Sequence, residues 1–167
     1  MKVLNKKINS TVILFCTLIL LLAGHTAMAA TAMPHFALPS VVDGKTVNSD
    51  EFKNKVLLIT FFATWCPPCR QEIPALIELQ NELSDKGFSI IGLSVDEGGA
   101  GIVAKLVNQQ KINYPVLLAT GATARDFGGI PGIPTSFLIN RQGNVVKSYP
   151  GYVPHKLLMR DIESVMR

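Results

Sequence analysis

The sequence predicts an α/β fold in which a mixed central sheet is flanked by helices. Apolar runs of strand length lie at 55–63 and 88–95, and an amphipathic helical pattern follows each of them. Two further short strands, at 135–139 and 145–149, are separated by a turn and form a hairpin. Strand–helix units join parallel strands and a hairpin joins antiparallel ones, so the sheet is expected to be mixed.

The first 29 residues have the pattern of an export signal. Three lysines precede an apolar stretch at about 12–23, and Ala27-Met28-Ala29 follows. This order predicts cleavage of residues 1–29 after Ala29 and a domain at 30–167, exported to the periplasm or to the outer face of the cytoplasmic membrane. The alternative is that residues 12–23 remain as a membrane anchor, although they are short for a full span.

Composition limits the classes of function. The chain has 16 basic and 12 acidic side chains, and removal of the three leading lysines leaves an excess of one positive charge. No basic stripe then remains that would indicate nucleic-acid binding. Cys16 lies in the apolar stretch, which leaves Cys66 and Cys69 in the exported part. Two cysteines do not form a stapling framework, and the remaining length suffices for one domain with an ordinary core.

Short elements are predicted before the first long strand. Residues 30–35 have the composition of a linker. Residues 36–47 contain Asp43-Gly44 between two short apolar runs, which predicts an N-terminal β-hairpin. A short helical turn is expected at 49–52.

The helix that begins at Pro67 is expected to carry one apolar face and to end before Gly87. Pro74 lies inside it and should kink it. The positions predicted to share this face are Cys69, Ile73, Leu76, Ile77, Gln80 and Leu83, and all of them except Gln80 are suited to burial.

A second strand–helix unit is predicted at about 88–112. Its helix is predicted at about 102–111, with Ile102, Val103, Leu106 and Val107 facing inward. The later elements are a strand at 114–118, a short helix at 123–127, the hairpin, and a final amphipathic helix at about 154–166.

Cys66-Pro67-Pro68-Cys69 is the most informative motif of the chain. Two intervening residues allow the sulfurs to close a disulfide across one helical turn, so the pair can carry two electrons. Cys66 lies where a strand leads into a helix, and the unpaired N–H groups and the helix dipole favour a thiolate there. A Cys-x-x-Cys pair beside a strand-to-helix pattern is typical of a thioredoxin-like redox motif.

Two other interpretations of this pair have less support. A static disulfide or two buried thiols would leave Trp65 and the two prolines unexplained. A zinc site needs about four ligands, and His35 and His155 are far away in sequence. The sequence therefore predicts no metal site, and dithiol exchange requires no cofactor.

The segment Phe-Phe-Ala-Thr-Trp-Cys-Pro-Pro-Cys-Arg-Gln-Glu-Ile-Pro at 61–74 resembles the active-site segment of the thioredoxin superfamily. More narrowly, it resembles the exported TlpA/ResA-like thiol–disulfide reductases. The resemblance covers most of residues 34–150, including Gly-Ile-Pro-Thr-Ser-Phe-Leu-Ile at 132–139. It implies a thioredoxin-like fold in which the strand–helix unit at about 88–112 is an insertion between Cys66 and Pro134. It also implies reduction of disulfides in extracytoplasmic proteins, for example apocytochrome c. It also implies a membrane thiol transporter as the electron donor.

The same resemblance implies roles for individual residues. Cys66 is expected to attack a substrate disulfide and the less exposed Cys69 to resolve the mixed disulfide. Glu72 matches a family glutamate three residues after the second cysteine, and a raised pKa would allow it to take the Cys69 proton. The alternative is a solvated helix glutamate. Cytosolic thioredoxins carry a buried aspartate where this chain has Thr60, which cannot act as an acid or base.

Pro134 resembles the cis-proline of the superfamily, which would leave the main chain of Ile133 free to pair with an extended substrate. Pro131 is a competing candidate, and two trans turn prolines are the ordinary alternative.

The residues around the first cysteine are also expected to contribute to substrate binding. Trp65 is expected to lie over the active site rather than to fill the core. Pro67 and Pro68 withhold two N–H donors from Cys66, which favours a reductant.

Other functions remain open at this level. An oxidase or isomerase of disulfides would use the same residues at a higher potential. A metallochaperone or client-binding module could use the same fold without catalysis. A peroxidase is disfavoured, because Ile59 and Ala63 occupy positions where peroxiredoxins place proline and threonine.

Overall fold

The computed structural model describes residues 31–167, so the predicted signal or anchor at 1–29 lies outside the described residues. The strands are β1 (Ala37–Pro39), β2 (Thr46–Asn48), β3 (Val56–Phe62), β4 (Phe88–Ser94), β5 (Val116–Leu118), β6 (Thr135–Ile139) and β7 (Val145–Pro150). The α-helices are α1 (Pro67–Leu83), α2 (Ala100–Gln110), α3 (Gly121–Asp126) and α4 (His155–Met166). Short 3-10 turns occupy Ser49–Phe52 and Ser84–Lys86.

The central sheet has the strand order β5-β4-β3-β6-β7. β3 pairs in parallel with β4 and antiparallel with β6, which confirms the predicted mixed sheet. Because β3 and β4 are parallel, their carboxyl ends lie side by side at one edge, with Phe62 opposite Ser94. The chain leaves β3 at this edge and enters α1, so the cysteine motif lies there.

Both faces of the sheet are covered, which explains why β3 is apolar at almost every position. Its side chains alternate between two cores. Leu58 and Phe62 pack with residues of α1 and α4, whereas Ile59 and Phe61 pack with the N-terminal hairpin and the segment around α3. In the second core the rings of Phe61 and Phe127 meet edge to face, with centroids 5.3 Å apart.

The predicted inward face of α1 is partly wrong. Ile77 is only partly buried, whereas Glu72 and Leu79, which were not on the predicted face, are buried. The buried stripe is therefore rotated slightly towards Glu72 and Leu79. The helix is continuous through Pro74.

Two further expectations are corrected. Ile102 is 44% exposed rather than inward-facing, because it lies on the side of α2 that borders Trp65 and not the sheet. Residues 31–33 are not a free linker, because this segment adds to the turn between β6 and β7. The Met33 amide donates to the Gly143 carbonyl (2.8 Å), and the Val145 amide donates to the Thr31 carbonyl (2.8 Å).

The N-terminal β-hairpin is confirmed, with Leu38 opposite Val47 and an Asp43-Gly44 turn in which Gly44 has φ +70°. Within residues 31–167, none of the helices combines the length and the apolar character that a bilayer crossing requires.

Candidate active site

Cys66 is the N-cap residue of α1, with extended backbone angles of φ −88° and ψ 110°. Its sulfur accepts a hydrogen bond from the Cys69 amide at 3.3 Å. Pro67 and Pro68 occupy the first helical positions, where an N–H group would have no partner within the helix. The sequence therefore begins a helix at the point where the first cysteine can receive a main-chain donor.

Cys66 and Cys69 form a disulfide with their Cα atoms 5.3 Å apart, as predicted. Both residues are buried to the same extent. The expectation that Cys69 is less exposed than Cys66 is therefore wrong for this disulfide form, because the loop that precedes β6 covers the first sulfur. The Cys66 Sγ lies 3.7 Å from the Ile133 carbonyl oxygen.

The Ile133–Pro134 peptide bond is cis, which confirms the predicted position over the competing Pro131. Two hydrogen bonds hold this loop. The Thr135 hydroxyl donates to the Gly132 carbonyl at 2.7 Å, and the Gly151 amide donates to the Pro134 carbonyl at 2.7 Å. Ile133 and the disulfide are thus brought together by residues that are far apart in sequence.

Trp65 is 68% exposed, so its ring does not fill the core. It lines a cavity of about 360 Å³ together with Val95, Asp96 and Ile102. An exposed indole and an exposed isoleucine beside a reactive disulfide give this edge an apolar surface.

Glu72 is 1% exposed, which excludes the alternative of a solvated helix glutamate. Its Oε1 accepts a hydrogen bond from the Val153 amide at 2.9 Å. Burial raises the pKa of Glu72 to about 7, and the Val153 amide opposes this rise. A carboxyl group with this pKa can both take and return a proton near neutral pH.

Tyr114 is a neighbour of Glu72 that sequence reasoning missed. Burial, and then the negative charge of Glu72, raise the pKa of Tyr114. Its ring lies over Gly92, where a Cβ atom would meet a Tyr114 carbon at 3.5 Å. A glycine inside an apolar strand was the available signal, because it permits such a close approach.

Thr60 occupies the middle of β3, between Gly92 and Ser136 on the neighbouring strands. It is buried, and its hydroxyl has no hydrogen-bond partner among residues 31–167. Its side chain cannot ionise, so Thr60 cannot act as an acid or a base.

Asp96 is a second residue that sequence reasoning missed. It follows β4 and is buried, and its carboxylate accepts hydrogen bonds from both the amide and the hydroxyl of Thr64. Polar residues directly after two parallel strands were the available signal.

Metal binding has no geometric support in the part of the chain that the structure covers. No group of three or more histidine, cysteine and acidic side chains lies close enough together there to hold an ion. His35 instead bonds the Asn48 side chain at 3.0 Å, and His155 lies 3.9 Å from the Glu78 carboxylate.

Comparison with known proteins agrees with this geometry. The chain matches the Redoxin family over residues 28–165. The chain belongs to this family. It is 34% identical to thiol-disulfide oxidoreductase ResA of Bacillus thuringiensis subsp. konkukian (strain 97-27) over 118 residues, which are 71% of this chain and 67% of that protein.

Two further relatives support the assignment. ResA of Bacillus subtilis (strain 168) is 30% identical over 125 residues, or 75% of this chain and 69% of that protein. A crystal structure of a thioredoxin-family thiol:disulfide interchange protein from Chlorobium tepidum TLS superposes with a TM-score of 0.78. It shares 37% identity and covers 85% of this chain and all of that one. The chain is thus a thiol–disulfide oxidoreductase with a thioredoxin-like fold, and Cys66 and Cys69 form its redox pair.

Proposed function

We propose that this protein is an exported reductant that transfers two electrons from Cys66 and Cys69 to disulfides of extracytoplasmic proteins, for example apocytochrome c. The main support for the proposal is that three functional groups lie within about one and a half turns at the start of α1. Cys66 caps α1, the Cys69 amide donates to the Cys66 sulfur, and Glu72 is buried one turn beyond Cys69.

The reaction follows from the order of these groups. In the dithiol form the Cys66 thiolate attacks one sulfur of a substrate disulfide, forms a mixed disulfide and releases one substrate thiolate. Glu72 takes the proton of Cys69, and the Cys69 thiolate then attacks the Cys66 sulfur. The Cys66–Cys69 disulfide forms and the second substrate thiol leaves. Two electrons have passed to the substrate.

Substrate binding is proposed at the edge around the disulfide. The main chain of Ile133 and Pro134 would pair with an extended substrate segment, as in β-strand addition. The exposed ring of Trp65 would cover one side of that segment. Pro67 and Pro68 would keep the first turn of the helix rigid while the mixed disulfide exists.

Export and recharging complete the proposal. Residues 1–29 would direct the chain out of the cytoplasm, with residues 12–23 as the anchor if they are retained. A membrane thiol transporter would return two electrons to the disulfide. The names of the ResA relatives support the chemistry, and the sequence pattern of the first 29 residues supports the location.

Trapping identifies the substrate. In a Cys69→Ser variant the mixed disulfide at Cys66 cannot be resolved, so it should accumulate with substrate proteins in the exported fraction. The variant Cys66→Ser/Cys69→Ser is the matched control and should trap none. Mass spectrometry of the trapped species identifies the partners.

The reduction potential separates a reductant from the other candidates. Equilibration of the full chain with dithiothreitol is expected to give a potential near the value of about −270 mV found for thioredoxin. A potential near about −120 mV, as in strong oxidants, would instead assign an oxidase. Stoichiometric copper binding by a dithiol form that reduces no disulfide would assign a metallochaperone.

A further inference from the structure

The carboxylate of Asp96 holds the segment that leads into the redox motif. Its Oδ2 accepts from the Thr64 amide (2.9 Å) and from the Ser94 hydroxyl (2.8 Å), and its Oδ1 accepts from the Thr64 hydroxyl (2.6 Å). The Asp96 amide in turn donates to the Ser94 hydroxyl at 3.2 Å. Both donor groups of Thr64, two residues before Cys66, therefore end on one side chain.

These contacts begin where the β-ladder ends. The last ladder bond between the two parallel strands runs from the Val95 amide to the Phe62 carbonyl at 2.9 Å. The chain then turns away from the sheet towards α1, so the Thr64 amide has no main-chain acceptor on β4. The Asp96 carboxylate takes the place of that acceptor. Hydrogen bonding at this end of the sheet therefore continues past Phe62 to Thr64, the residue before Trp65.

The site is buried and contains no cation. Asp96 is 9% exposed, and within residues 31–167 it takes part in no ion pair. A buried carboxylate is costly unless several donors satisfy it. Two of the three groups that donate hydrogen bonds to the Asp96 carboxylate belong to Thr64. Burial of this carboxylate therefore depends on the position of Thr64, and Thr64 is in turn held by the carboxylate.

We propose that Asp96 is a positioning residue for thiol–disulfide exchange: by fixing both donor groups of Thr64, it holds the Cys66 sulfur in the orientation required for attack. The inference rests on the proposed role of Cys66 as the attacking thiol. Ile133 belongs to another segment, and its carbonyl oxygen lies 3.7 Å from the Cys66 sulfur. A shift of the Thr64 segment would therefore misalign the sulfur with Ile133.

The contacts allow the effect of position to be separated from that of charge. An asparagine at 96 can accept from the Thr64 amide and the Ser94 hydroxyl through its oxygen and donate to the Thr64 hydroxyl through its nitrogen. Asp96→Asn thus keeps the three contacts without the charge, whereas Asp96→Ala removes them. Glu82→Gln removes an exposed carboxylate near the other end of α1 and is the charge control.

The experiment uses the full chain in detergent, reduced and freed of reductant. The rate constants for reduction of oxidised glutathione and for alkylation of Cys66 by iodoacetamide are measured from pH 5 to 9 for each variant. We expect Asp96→Ala to lower both rate constants by about tenfold or more and to shift the pH profile of alkylation, because small misplacements of reacting atoms are costly. Asp96→Asn and Glu82→Gln should stay within about twofold of the unmodified protein.

A purely structural role would lower the thermal midpoint of Asp96→Ala and leave its rates and pH profile unchanged, and that result would overturn the inference. Equal losses in Asp96→Asn and Asp96→Ala would also overturn it, since contacts would then not be the cause. If Asp96→Ala does not fold, Thr64→Val decides: it removes only the 2.6 Å bond and should lower the rates about threefold. Unmodified rates in Thr64→Val would contradict the inference. An unmodified protein that reduces no disulfide would overturn the proposed function itself.

Discussion

At the scale of single residues, Glu72 shows how burial moves the pKa of a carboxyl group towards neutral pH. A carboxylate is destabilised away from water, so the neutral form is favoured and the pKa rises to about 7. The Val153 amide limits the rise, because it donates to the Oε1 atom at 2.9 Å. The result is a group that titrates near neutral pH one turn from Cys69.

The raised pKa also predicts a pH dependence of stability. Folded Glu72 titrates at about 7 and its unfolded reference lies at 4.5, so between these values the folded protein holds a proton that the unfolded chain releases. The free energy of unfolding should therefore decrease as pH rises from about 4.5 to about 7 and then level off, by at most about 3 kcal/mol. Urea unfolding of the disulfide form at several pH values measures this slope.

The matched variants are Glu72→Gln and Glu82→Gln on the same helix. Glu82 is exposed, so its replacement should leave the slope unchanged. Glu72→Gln should flatten it, since the amide does not titrate. A slope that survives in Glu72→Gln would show that another group is responsible.

Residue-level prediction from the sequence succeeded for local motifs and failed for contacts across the fold. Cys66, Cys69 and Glu72 share one short segment with a recognisable spacing, so they could be identified from the sequence. Asp96 and Tyr114 reach the site only because parallel strands end at the same edge and because Gly92 leaves room for a ring. The available signals, a glycine inside β4 and polar residues after two strands, identify these residues only once the pairing of β3 with β4 is known.

At the scale of elements, α1 shows why periodicity locates a helix more reliably than it orients one. The apolar side chains of α1 fit more than one face, and counting them placed Ile77 inward and left out Leu79. The buried Glu72 decides between the faces, and a carboxyl group is not counted as apolar. Ile102 in α2 was misplaced for a related reason, because an apolar side chain beside Trp65 has the same pattern as one in the core.

The corrected face predicts which leucine and isoleucine positions matter for stability. Leu79 is fully buried between α1 and the sheet, whereas Ile77 is only partly buried. Leu79→Ala should lower the free energy of unfolding by about 3 kcal/mol, and Ile77→Ala by clearly less, since the cost grows with the cavity left behind. Urea titration of both variants at one pH makes the comparison. A larger loss in Ile77→Ala than in Leu79→Ala would favour the face predicted from periodicity.

At the scale of the whole molecule, the central sheet lies between two hydrophobic cores and contributes side chains to both. The strands β3 and β4 contribute alternate side chains to each core, so loss of packing on one face weakens the strands that support the other. The N-terminal hairpin closes the second core. It is held to β5 by a hydrogen bond from the Val41 amide to the Val116 carbonyl at 3.0 Å.

This arrangement predicts that the hairpin is part of a single cooperative unit. Leu38 on β1 is buried in the second core, whereas Val42, four residues later, is 68% exposed. Leu38→Ala should lower the free energy of unfolding by about 2–4 kcal/mol, and Val42→Ala should stay within about 0.5 kcal/mol of the unmodified protein.

Two spectroscopic probes test whether this loss reaches the active site. Far-ultraviolet circular dichroism follows the sheet and helices, and tryptophan fluorescence follows Trp65 at the distant active-site edge. In Leu38→Ala both probes should shift to the same lower urea midpoint, because the shared strands transmit the loss across the sheet. If the fluorescence midpoint stayed in place while the dichroism midpoint fell, the hairpin would unfold independently, and the active-site edge would depend on the first core alone.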